Sequence, residues 1–296
     1  GLPLFSALEG LLTGNLNLIK LPHGDRGLTL AALKLLTQRE PRLAPWLYAF
    51  AVSSKDADTL ERLAALADGV VTWGGDGAVS ALRRLAPPGC KLMEWGHRLS
   101  FAYVAGYEDR EAEWSALARH IVRTGGLLCS SCQVIFLDTG RLEEGEAFCQ
   151  AFLPLLNRAA RERNRDGAAQ AALYTHTYRL ERLAEGAGGR TWFGEGCSLT
   201  LKPDRELELS PLYGNVLVKC LPREELLPVL RRQKGRLQTA GLLCRAEERE
   251  ELTALLARAG VTRITRAGEM SRTFPGEAHD GEYSLRRYIR LADIET

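Results

Sequence analysis

Short apolar segments alternate with amphipathic helical segments along most of this chain, and this alternation limits the fold more than any other feature. Residues 16–20, 46–53 and 69–73 are predicted strands, and the segments between them have helical periodicity. A similar unit lies at 237–265, where a helical segment separates two apolar runs. Strands that alternate with helices form βαβ units with parallel neighbours. The predicted fold class is therefore α/β with a mostly parallel sheet.

The composition is that of a globular protein, with 296 residues of which 45% are apolar and 26% are charged. The net charge of +2 gives no basic footprint for nucleic acid, and no apolar run reaches the roughly 20 residues of a membrane span. The start of the sequence lacks the basic segment of a secretory signal. Seven scattered cysteines favour a reducing compartment over a disulfide framework. Cys129 and Cys132 form a C-x-x-C pair, but no second pair has zinc-finger spacing, so a structural zinc site is disfavoured. We expect a cytoplasmic protein that binds neither nucleic acid nor membranes.

Cys129 is the strongest candidate for a catalytic residue. It follows a turn of small and apolar residues at 125–128 and precedes Ser130, Ser131 and then an apolar strand. Backbone N–H groups just after the sulfur can stabilise a thiolate and, later in a reaction, an oxyanion. The alternative is a buried structural cysteine, which is the usual fate of this residue type. The segment alone leaves both interpretations open.

A second group of candidate residues follows the first predicted strand. Lys20 lies at the carboxyl end of that strand, and His23 and Arg26 add positive charge just beyond it. Ligands bind at this edge in open α/β sheets, so Lys20 is placed to contact a ribose or a phosphate. A solvated surface lysine is the alternative.

The segment Trp73-Gly74-Gly75-Asp76-Gly77 forms a turn between a predicted strand and a predicted helix. Glycines let the backbone approach a ligand closely, and the N–H groups at the start of a helix suit phosphate. The segment is not the G-x-G-x-x-G fingerprint of dinucleotide sites. A tight turn in which Asp76 caps the helix explains it equally well.

Glu94 ends a further predicted strand, between Met93 and Trp95. Apolar neighbours would raise the pKa of its carboxyl group and suit it to act as a general base. The alternative is a solvated glutamate at the end of a strand.

Taken in chain order, these segments resemble the aldehyde dehydrogenase superfamily and, within it, the LuxC-type acyl-CoA reductases. Two patterns of the superfamily are echoed here, A-G-N-x-x-x-x-K-P at residues 13–20 and E-L-G-G-K at residues 94–98. Two patterns of the reductase branch are echoed as well, W-G-G at residues 73–75 and C-S-S-P-Q at residues 129–133. Residues 237–242 and 279–281 resemble two late motifs of the same branch. The resemblance runs from about Gly14 to the end of the sequence. It implies two Rossmann-like lobes, with 1–105 as a partial cofactor-binding domain, 106–275 as the catalytic domain and 276–296 as a segment that returns toward the cofactor or oligomerisation region.

The resemblance also implies roles for the candidate residues. Cys129 is the expected nucleophile, and Glu94 is a residue that tunes its thiol. Lys20 is the expected contact to the adenosine ribose of the cofactor. Glu208, which stands before a Ser-Pro turn, is carried over as a ribose contact of the nicotinamide half.

For the cofactor, the resemblance implies a nicotinamide dinucleotide. His23 and Arg26 would suit a 2′-phosphate, so NADPH is favoured over NADH. Gly74 and Gly75 are the expected backbone part of this site.

The activity that the resemblance implies is reduction of an acyl-CoA or acyl-carrier thioester to an aldehyde through an acyl-Cys129 intermediate. It also implies an acyl-transferase or synthetase partner and a homo-oligomer. Two alternatives stay open. One is a hydrolytic aldehyde dehydrogenase, for which Glu94 would supply the base. The other is a non-catalytic subunit that binds a partner, and the retention of Cys129 argues against it.

The sequence departs from the family pattern at several points. Cys132 replaces the proline of C-S-S-P-Q, which puts a second thiol near the first and leaves open a redox side reaction. Leu21 displaces the proline of the lysine motif by one position. No equivalent of the oxyanion-hole asparagine is found near the start of the sequence. We therefore expect the cofactor lobe to be truncated at its amino-terminal end.

Overall fold

The computed structural model describes residues 2–185, 188–274 and 276–295. The chain divides into two compact units, which are Gly1–His97 with Gly276–Thr296, and Arg98–Pro275. We call them the terminal unit and the central unit. The boundary predicted after residue 105 falls after His97 instead, because the strand that begins at Leu99 pairs within the sheet of the central unit.

The terminal unit alternates helices and strands, as the sequence pattern predicts. Its helices are α1 (Leu2–Leu12), α2 (Leu28–Arg39), α3 (Ala57–Ala65), α4 (Asp76–Leu85) and, near the end of the chain, α10 (Ser284–Arg287). Its strands are β1 (Asn17–Lys20), β2 (Leu47–Phe50), β3 (Gly69–Trp73) and β4 (Lys91–Trp95). The first and second strands pair in parallel, and so do the third and fourth.

The helices α3 and α4 of the terminal unit differ in the residue that caps their amino-terminal end. Asp56 caps α3, since its side chain accepts a hydrogen bond from the Thr59 N–H at 3.1 Å. The alternative in which Asp76 caps α4 is wrong, because Gly75 occupies the capping position and Asp76 is the first residue of the helix. A carboxylate in the first helical turn still interacts favourably with the helix dipole.

The end of the chain is attached to the terminal unit by polar contacts. The Asn15 side chain donates to the Tyr288 carbonyl at 3.0 Å, and Lys91 donates to the Ile289 carbonyl at 3.2 Å. The Ser284 hydroxyl also donates to the buried carboxylate of Glu9. These bonds place the segment after residue 276 against α1 and β4.

The central unit contains the larger sheet. Its helices are α5 (Arg110–Thr124), α6 (Leu142–Ala160), α7 (Arg165–Glu185), α8 (Arg223–Arg231) and α9 (Arg249–Ala259). Its strands are β5 (Leu99–Val104), β6 (Cys132–Leu137), β7 (Arg190–Phe193), β8 (Ser198–Lys202), β9 (Asn215–Cys220), β10 (Leu237–Leu243) and β11 (Arg263–Arg266).

The seven strands of the central unit lie in the order β11-β10-β5-β6-β9-β8-β7. All neighbours are parallel except the edge strand β7, which is antiparallel to β8. The prediction of an α/β fold with a mostly parallel sheet is confirmed for this unit. The strands β5, β6, β9 and β10 are buried almost throughout, as expected for a parallel sheet covered on both faces.

Each face of this sheet has its own hydrophobic core. In β6, Ile135 and Leu137 face one core, and Val134 and Phe136 face the other. This alternation follows from the two-residue period of a strand. The first core includes aromatic residues of α6, and the second includes leucines of α8 and α9. Within the described residues, no helix is long and apolar enough to cross a membrane.

The segment after β11 crosses one face of the sheet at a position without a side chain. A Cβ on Gly241 would lie 2.6 Å from the Met270 sulfur and 2.8 Å from the Cα of Ala267. A Cβ on Gly268 would lie 2.5 Å from the Cβ of Ala116 in α5. Two glycines therefore allow residues 267–271 to fit against both β10 and α5.

We expect Gly241→Ala to lower the free energy of unfolding by about 1–3 kcal/mol, because the added methyl group overpacks this crossing. Urea unfolding followed by circular dichroism measures the change. Gly140→Ala is the matched control, since a Cβ there would approach only Pro222, at 4.0 Å. Equal stability of the two variants would contradict the tight crossing.

Candidate active site

Cys129 lies in the turn that joins α5 to β6, and its side chain is exposed. The helix ends at Thr124, and Gly125 and Gly126 follow with φ values of 59° and 79°. These left-handed conformations suit glycine and turn the chain away from the helix axis. The interpretation of Cys129 as a buried structural cysteine is therefore wrong. The thiol is presented at the amino end of a central strand.

Hydrogen bonds fix the backbone around this thiol. The Ser100 hydroxyl donates to the Cys129 carbonyl at 2.6 Å. Ser131 accepts from the Leu128 N–H with its hydroxyl at 2.9 Å, and its own N–H donates to the Leu128 carbonyl at 2.9 Å. Among the described residues, the N–H groups of Cys129 and Ser130 donate to no acceptor. Both can therefore still donate to a bound group.

Gln133 connects this turn to the loop before β9. Its amide nitrogen donates to the Gly126 carbonyl at 3.0 Å, and its amide oxygen accepts from the N–H and hydroxyl of Ser210 at 3.0 and 2.8 Å. The Tyr213 N–H donates to the Gly125 carbonyl at 2.7 Å. The glutamine side chain is buried, so these bonds are shielded from water. The loop and the cysteine turn are therefore held as one piece.

A second contact holds the turn from the side of the crossing segment. The hydroxyl groups of Ser130 and Ser271 lie 2.8 Å apart. Ser271 follows the residues that the glycines at 241 and 268 bring against the sheet. The residue directly after the candidate nucleophile is thus fixed by a segment more than 130 positions away in sequence.

His120 lies beneath the turn and is almost wholly buried, with 1% of its surface exposed. Neither of its ring nitrogens has a hydrogen-bond partner at normal distance and angle within the described residues. Burial, and then the nearby charge of Arg123, lower the pKa of His120 to about 4, although the backbone of Ser130 acts in the opposite direction. The imidazole is therefore neutral at physiological pH.

Cys132, the residue that replaces the family proline, is buried as the first residue of β6. Its thiol donates to the Val134 carbonyl at 3.4 Å. Burial raises the pKa of this thiol to about 12. A buried, protonated thiol is a poor nucleophile, which argues against the redox side reaction with Cys129.

Glu94 lies on β4 of the terminal unit and forms a bidentate ion pair with Arg83. The Arg83 guanidinium donates to its two carboxylate oxygens at 2.5 and 2.6 Å. These hydrogen bonds lower the pKa of Glu94, with burial opposing them. The expectation of a raised pKa is therefore wrong, because Arg83, in the last turn of α4, outweighs the apolar neighbours of Glu94.

Lys20 is the last residue of β1 and thus lies at the carboxyl end of a parallel strand, as predicted. Its ammonium group donates to the Ser54 hydroxyl at 2.8 Å, just beyond β2. His23 and Arg26 follow on an exposed turn, where Arg26 has a φ of 49°. The three residues form an exposed basic loop beside the carboxyl end of this strand pair.

The glycine turn follows β3 and leads directly into α4. The Gly74 N–H donates to the Trp95 carbonyl at 3.1 Å, which ties the turn to β4. A Cβ on Gly74 would lie 2.9 Å from the Cβ of Ala78, whereas a Cβ on Gly75 would meet nothing within 4 Å. Gly74 is required for close packing, and Gly75 leaves open space in front of the helix.

Glu208 lies in the central unit and belongs to a cluster of ion pairs. The fully buried Lys219 and the partly exposed Lys202 both donate to its Oε1 atom, at 2.5 and 2.7 Å. Lys219 also donates to Asp204 and, at 2.7 Å, to the Glu206 carbonyl. Burial favours the neutral acid, but the two lysines outweigh it and lower the pKa of Glu208. These contacts are sufficient to explain the residue as structural, and its ribose contact stays a prediction.

The structure thus divides the candidate residues between the units. The terminal unit holds Lys20, His23, Gly74, Gly75 and Glu94, and the central unit holds Cys129 and Glu208. Sequence reasoning missed Ser100, His120 and Gln133, which support the cysteine turn. Gln133 belongs to the segment that matches C-S-S-P-Q, and its polar amide in an otherwise apolar strand is the signal that could have identified it.

Comparison with known proteins identifies the family. The family model described as acyl-CoA reductase (LuxC) matches residues 1–291. The chain belongs to the LuxC family of acyl-CoA reductases. A long-chain acyl-protein thioester reductase from Aliivibrio fischeri is 25% identical over 244 residues, which are 81% of this chain and 50% of that protein. This LuxC-family chain therefore spans about half the length of the curated relative.

Solved structures show the same fold. A variant of proline utilization A from Bradyrhizobium japonicum matches 95% of this chain and 32% of its own, with a TM-score of 0.69 and 16% identity. A succinic semialdehyde dehydrogenase from Streptococcus pyogenes, in complex with NADP+, matches 94% of this chain and 64% of its own, with a TM-score of 0.67 and 13% identity. The LuxC-family chain has an aldehyde dehydrogenase fold, as predicted.

We expect the buried imidazole to make this LuxC-family protein sensitive to acid. The pKa of His120 falls from 6.5 to about 4 on folding, so the unfolded chain takes up a proton first as the pH drops. The stability linked to the neutral ring is complete above pH 6.5 and is lost toward pH 4, by about 3 kcal/mol. Urea unfolding of the wild type and of His120→Gln at pH 7 and pH 4 measures this loss.

The control for this measurement is the exposed His176, for which His176→Gln should leave the pH dependence of the wild type unchanged. If the free energy of unfolding falls by the same amount between pH 7 and pH 4 in the wild type and in His120→Gln, the fold does not hold the imidazole neutral.

Proposed function

We propose that this chain reduces an acyl thioester, carried by coenzyme A or by a carrier protein, to an aldehyde through a covalent acyl-Cys129 intermediate. The observation that carries the proposal is the exposed Cys129, whose own N–H group and that of Ser130 have no acceptor among the described residues. Membership of the LuxC family supports the reaction class. The thiol, the donors and their supports all lie in the central unit.

In the first stage the Cys129 thiolate attacks the thioester carbonyl and forms a tetrahedral adduct. The N–H groups of Cys129 and Ser130 donate hydrogen bonds to the oxygen as negative charge develops on it. A donor of this kind is typically worth about 3 kcal/mol in the transition state. The adduct collapses by breaking its bond to the sulfur of the carrier, which leaves as a thiolate, and the acyl group stays on Cys129.

In the second stage the acyl group on Cys129 is reduced at its carbonyl carbon, for which a nicotinamide dinucleotide, when bound, would supply the hydride. The resulting oxyanion lies again at the N–H groups of Cys129 and Ser130. Collapse of this thiohemiacetal breaks the carbon–sulfur bond, releases the aldehyde and restores the Cys129 thiolate. The hydrogen bond from Ser100 to the Cys129 carbonyl keeps this backbone in place through both stages.

The terminal unit offers residues that fit a nicotinamide dinucleotide. Lys20 lies at the carboxyl end of β1, where a ribose hydroxyl would be bound, and Gly75 leaves open space at the start of α4 for a phosphate. His23 and Arg26 are exposed beside Lys20 and would pair with a 2′-phosphate. We therefore favour NADPH over NADH as the hydride source.

For the cofactor preference, we expect the double variant His23→Gln, Arg26→Gln to raise the KM for NADPH by about tenfold, which corresponds to roughly one charged hydrogen bond. The KM for NADH should stay the same, because NADH lacks the 2′-phosphate. Steady-state oxidation of each cofactor with an acyl-CoA gives both values. A similar rise for both cofactors would contradict a role in 2′-phosphate recognition.

The hydrolytic alternative requires a base that activates water, and the contacts of Glu94 do not favour it. Its carboxylate is held by Arg83 and its pKa is lowered, so it accepts a proton less readily than a free glutamate. A thioester reductase needs no such base, since hydride replaces water in the second stage. The reductive reaction is thus the better fit to this side chain.

The covalent intermediate can be detected directly. Incubation with a radiolabelled acyl-CoA should label the wild type, and neutral hydroxylamine should release the label, as expected for a thioester. Cys129→Ser should lose this hydroxylamine-labile label and at least about 10³-fold of the reductase activity. Cys132→Ala is the matched control, because Cys132 is buried and should label normally.

Two outcomes would contradict the proposal. If the label is lost in Cys132→Ala and kept in Cys129→Ser, Cys129 is not the nucleophile. Reduction of NAD⁺ by an aldehyde, with release of a free acid and no NADPH oxidation by acyl-CoA, would identify a hydrolytic dehydrogenase instead.

A further inference from the structure

A cavity of about 560 Å³ lies in the central unit beside the cysteine turn. Leu128, the residue directly before Cys129, forms part of its wall. Ser271, which is hydrogen-bonded to Ser130 on the other side of Cys129, forms another part. The volume is within the range of sites that bind organic molecules. The cavity thus lies beside the turn that carries the candidate nucleophile and is large enough for more than a single ion.

Two guanidinium groups line the same cavity. Arg123 comes from the last turn of α5, and Arg272 comes from the end of the crossing segment. Arg123 forms no ion pair with any residue that the structure describes. Glu269 is the one acidic residue of the lining, so the lining has a net positive charge.

Arg272 is paired with Glu269, but the pair is weak. The two side chains approach to 3.1 Å and are 76% and 44% exposed. Exposed ion pairs contribute little to stability because water screens them. A phosphate, which accepts paired hydrogen bonds from a guanidinium, would compete well for Arg272. The cavity is therefore suited to an anion at the end that carries the arginines.

The remaining lining is small or apolar, consisting of Thr124, Leu128 and Gly268. Such a wall accommodates an uncharged, flexible chain rather than a second charged group. A ligand that fits both parts has a neutral arm and an anionic end, with its reactive group near Cys129.

We infer that this cavity receives the phosphopantetheine arm of the acyl donor, and that Arg123 and Arg272 bind its phosphate. The inference rests on the proposed function, because it assumes that Cys129 accepts an acyl group from a thioester. Coenzyme A and carrier proteins share this arm and this phosphate. The shared group explains how one site would serve either donor.

The test compares three donors with the same acyl-pantetheine arm: acyl-CoA, which carries the phosphate and the nucleotide, acyl-phosphopantetheine, which carries the phosphate alone, and acyl-pantetheine, which carries neither. Single-turnover acylation of Cys129 is measured for the wild type and for the double variant Arg123→Gln, Arg272→Gln. We expect the double variant to acylate roughly 10- to 100-fold more slowly at subsaturating acyl-CoA and acyl-phosphopantetheine. Acyl-pantetheine, which lacks the phosphate, should react at the same rate with both proteins.

Two further variants sharpen the comparison. Arg119→Gln removes an exposed arginine one turn earlier on α5 that does not line the cavity, and it should leave all three rates unchanged. Glu269→Gln releases Arg272 from its ion pair and should raise the rate with acyl-CoA by about two- to fivefold. A structural role of these residues would not produce changes in opposite directions.

The outcomes separate this inference from the proposed function. If the wild type is acylated by none of the donors, the proposed function fails. If the wild type is acylated but the double variant slows all three donors equally, or none of them, the phosphate site is wrong. If the double variant is acylated more slowly by acyl-CoA alone, the arginines bind the nucleotide part of coenzyme A and the inference is overturned. The wild-type rates with acyl-CoA and with an acylated carrier protein then identify the source of the arm.

Discussion

The side chain of Gln133 makes three buried hydrogen bonds, and the geometry of the cysteine turn depends on them. One amide group satisfies the Gly126 carbonyl together with the N–H and hydroxyl of Ser210, so its loss would leave three polar groups unpaired in the interior. An unpaired buried group costs about 1–3 kcal/mol, which makes the arrangement close to obligatory. Because Gln133 lies on a strand buried on both faces, its hydrogen bonds fix the turn to the sheet. Cys129 is exposed at a point where the backbone itself is fixed.

The two units place their leading candidate residues, Lys20 and Cys129, at opposite ends of strands. Lys20 lies at the carboxyl end of β1, where parallel sheets usually bind ligands. Cys129 lies before the amino end of β6, where no such rule applies. Its site is built instead from groups brought in by long connections, such as Ser271 and Arg272 at the end of the crossing segment. The glycine at position 241 therefore matters to the site although it lies far from the thiol in sequence, since it lets that segment lie against the sheet.

The same contrast explains what the sequence could predict. Features that depend on local residue types were predicted correctly, namely the strands within 16–20, 46–53 and 69–73, the strand–helix–strand unit at 237–265 and the place of Lys20. The ion pair of Glu94 was not, because Arg83 comes from a neighbouring helix and its reach depends on packing. For the same reason the partners of Glu208 were missed, since Lys219 is hidden in an otherwise apolar strand. Motifs reveal which residue types are present, whereas charge and burial in the fold decide their chemistry.

The cysteine at position 132 shows how a departure from a family pattern can be accommodated at the start of a buried strand. This position is the first residue of β6, and the pairing of β5 with β6 is irregular immediately after Ser100, its partner in register. Proline is tolerated at the start of a strand and at such irregularities, because no ladder hydrogen bond is lost there. A cysteine fits the same backbone and fills the position with a small apolar side chain, which is buried in the core beneath α5 and α6. Its thiol donates to the Val134 carbonyl within its own strand. The substitution therefore alters the packing of the interior while the exposed turn keeps a single thiol.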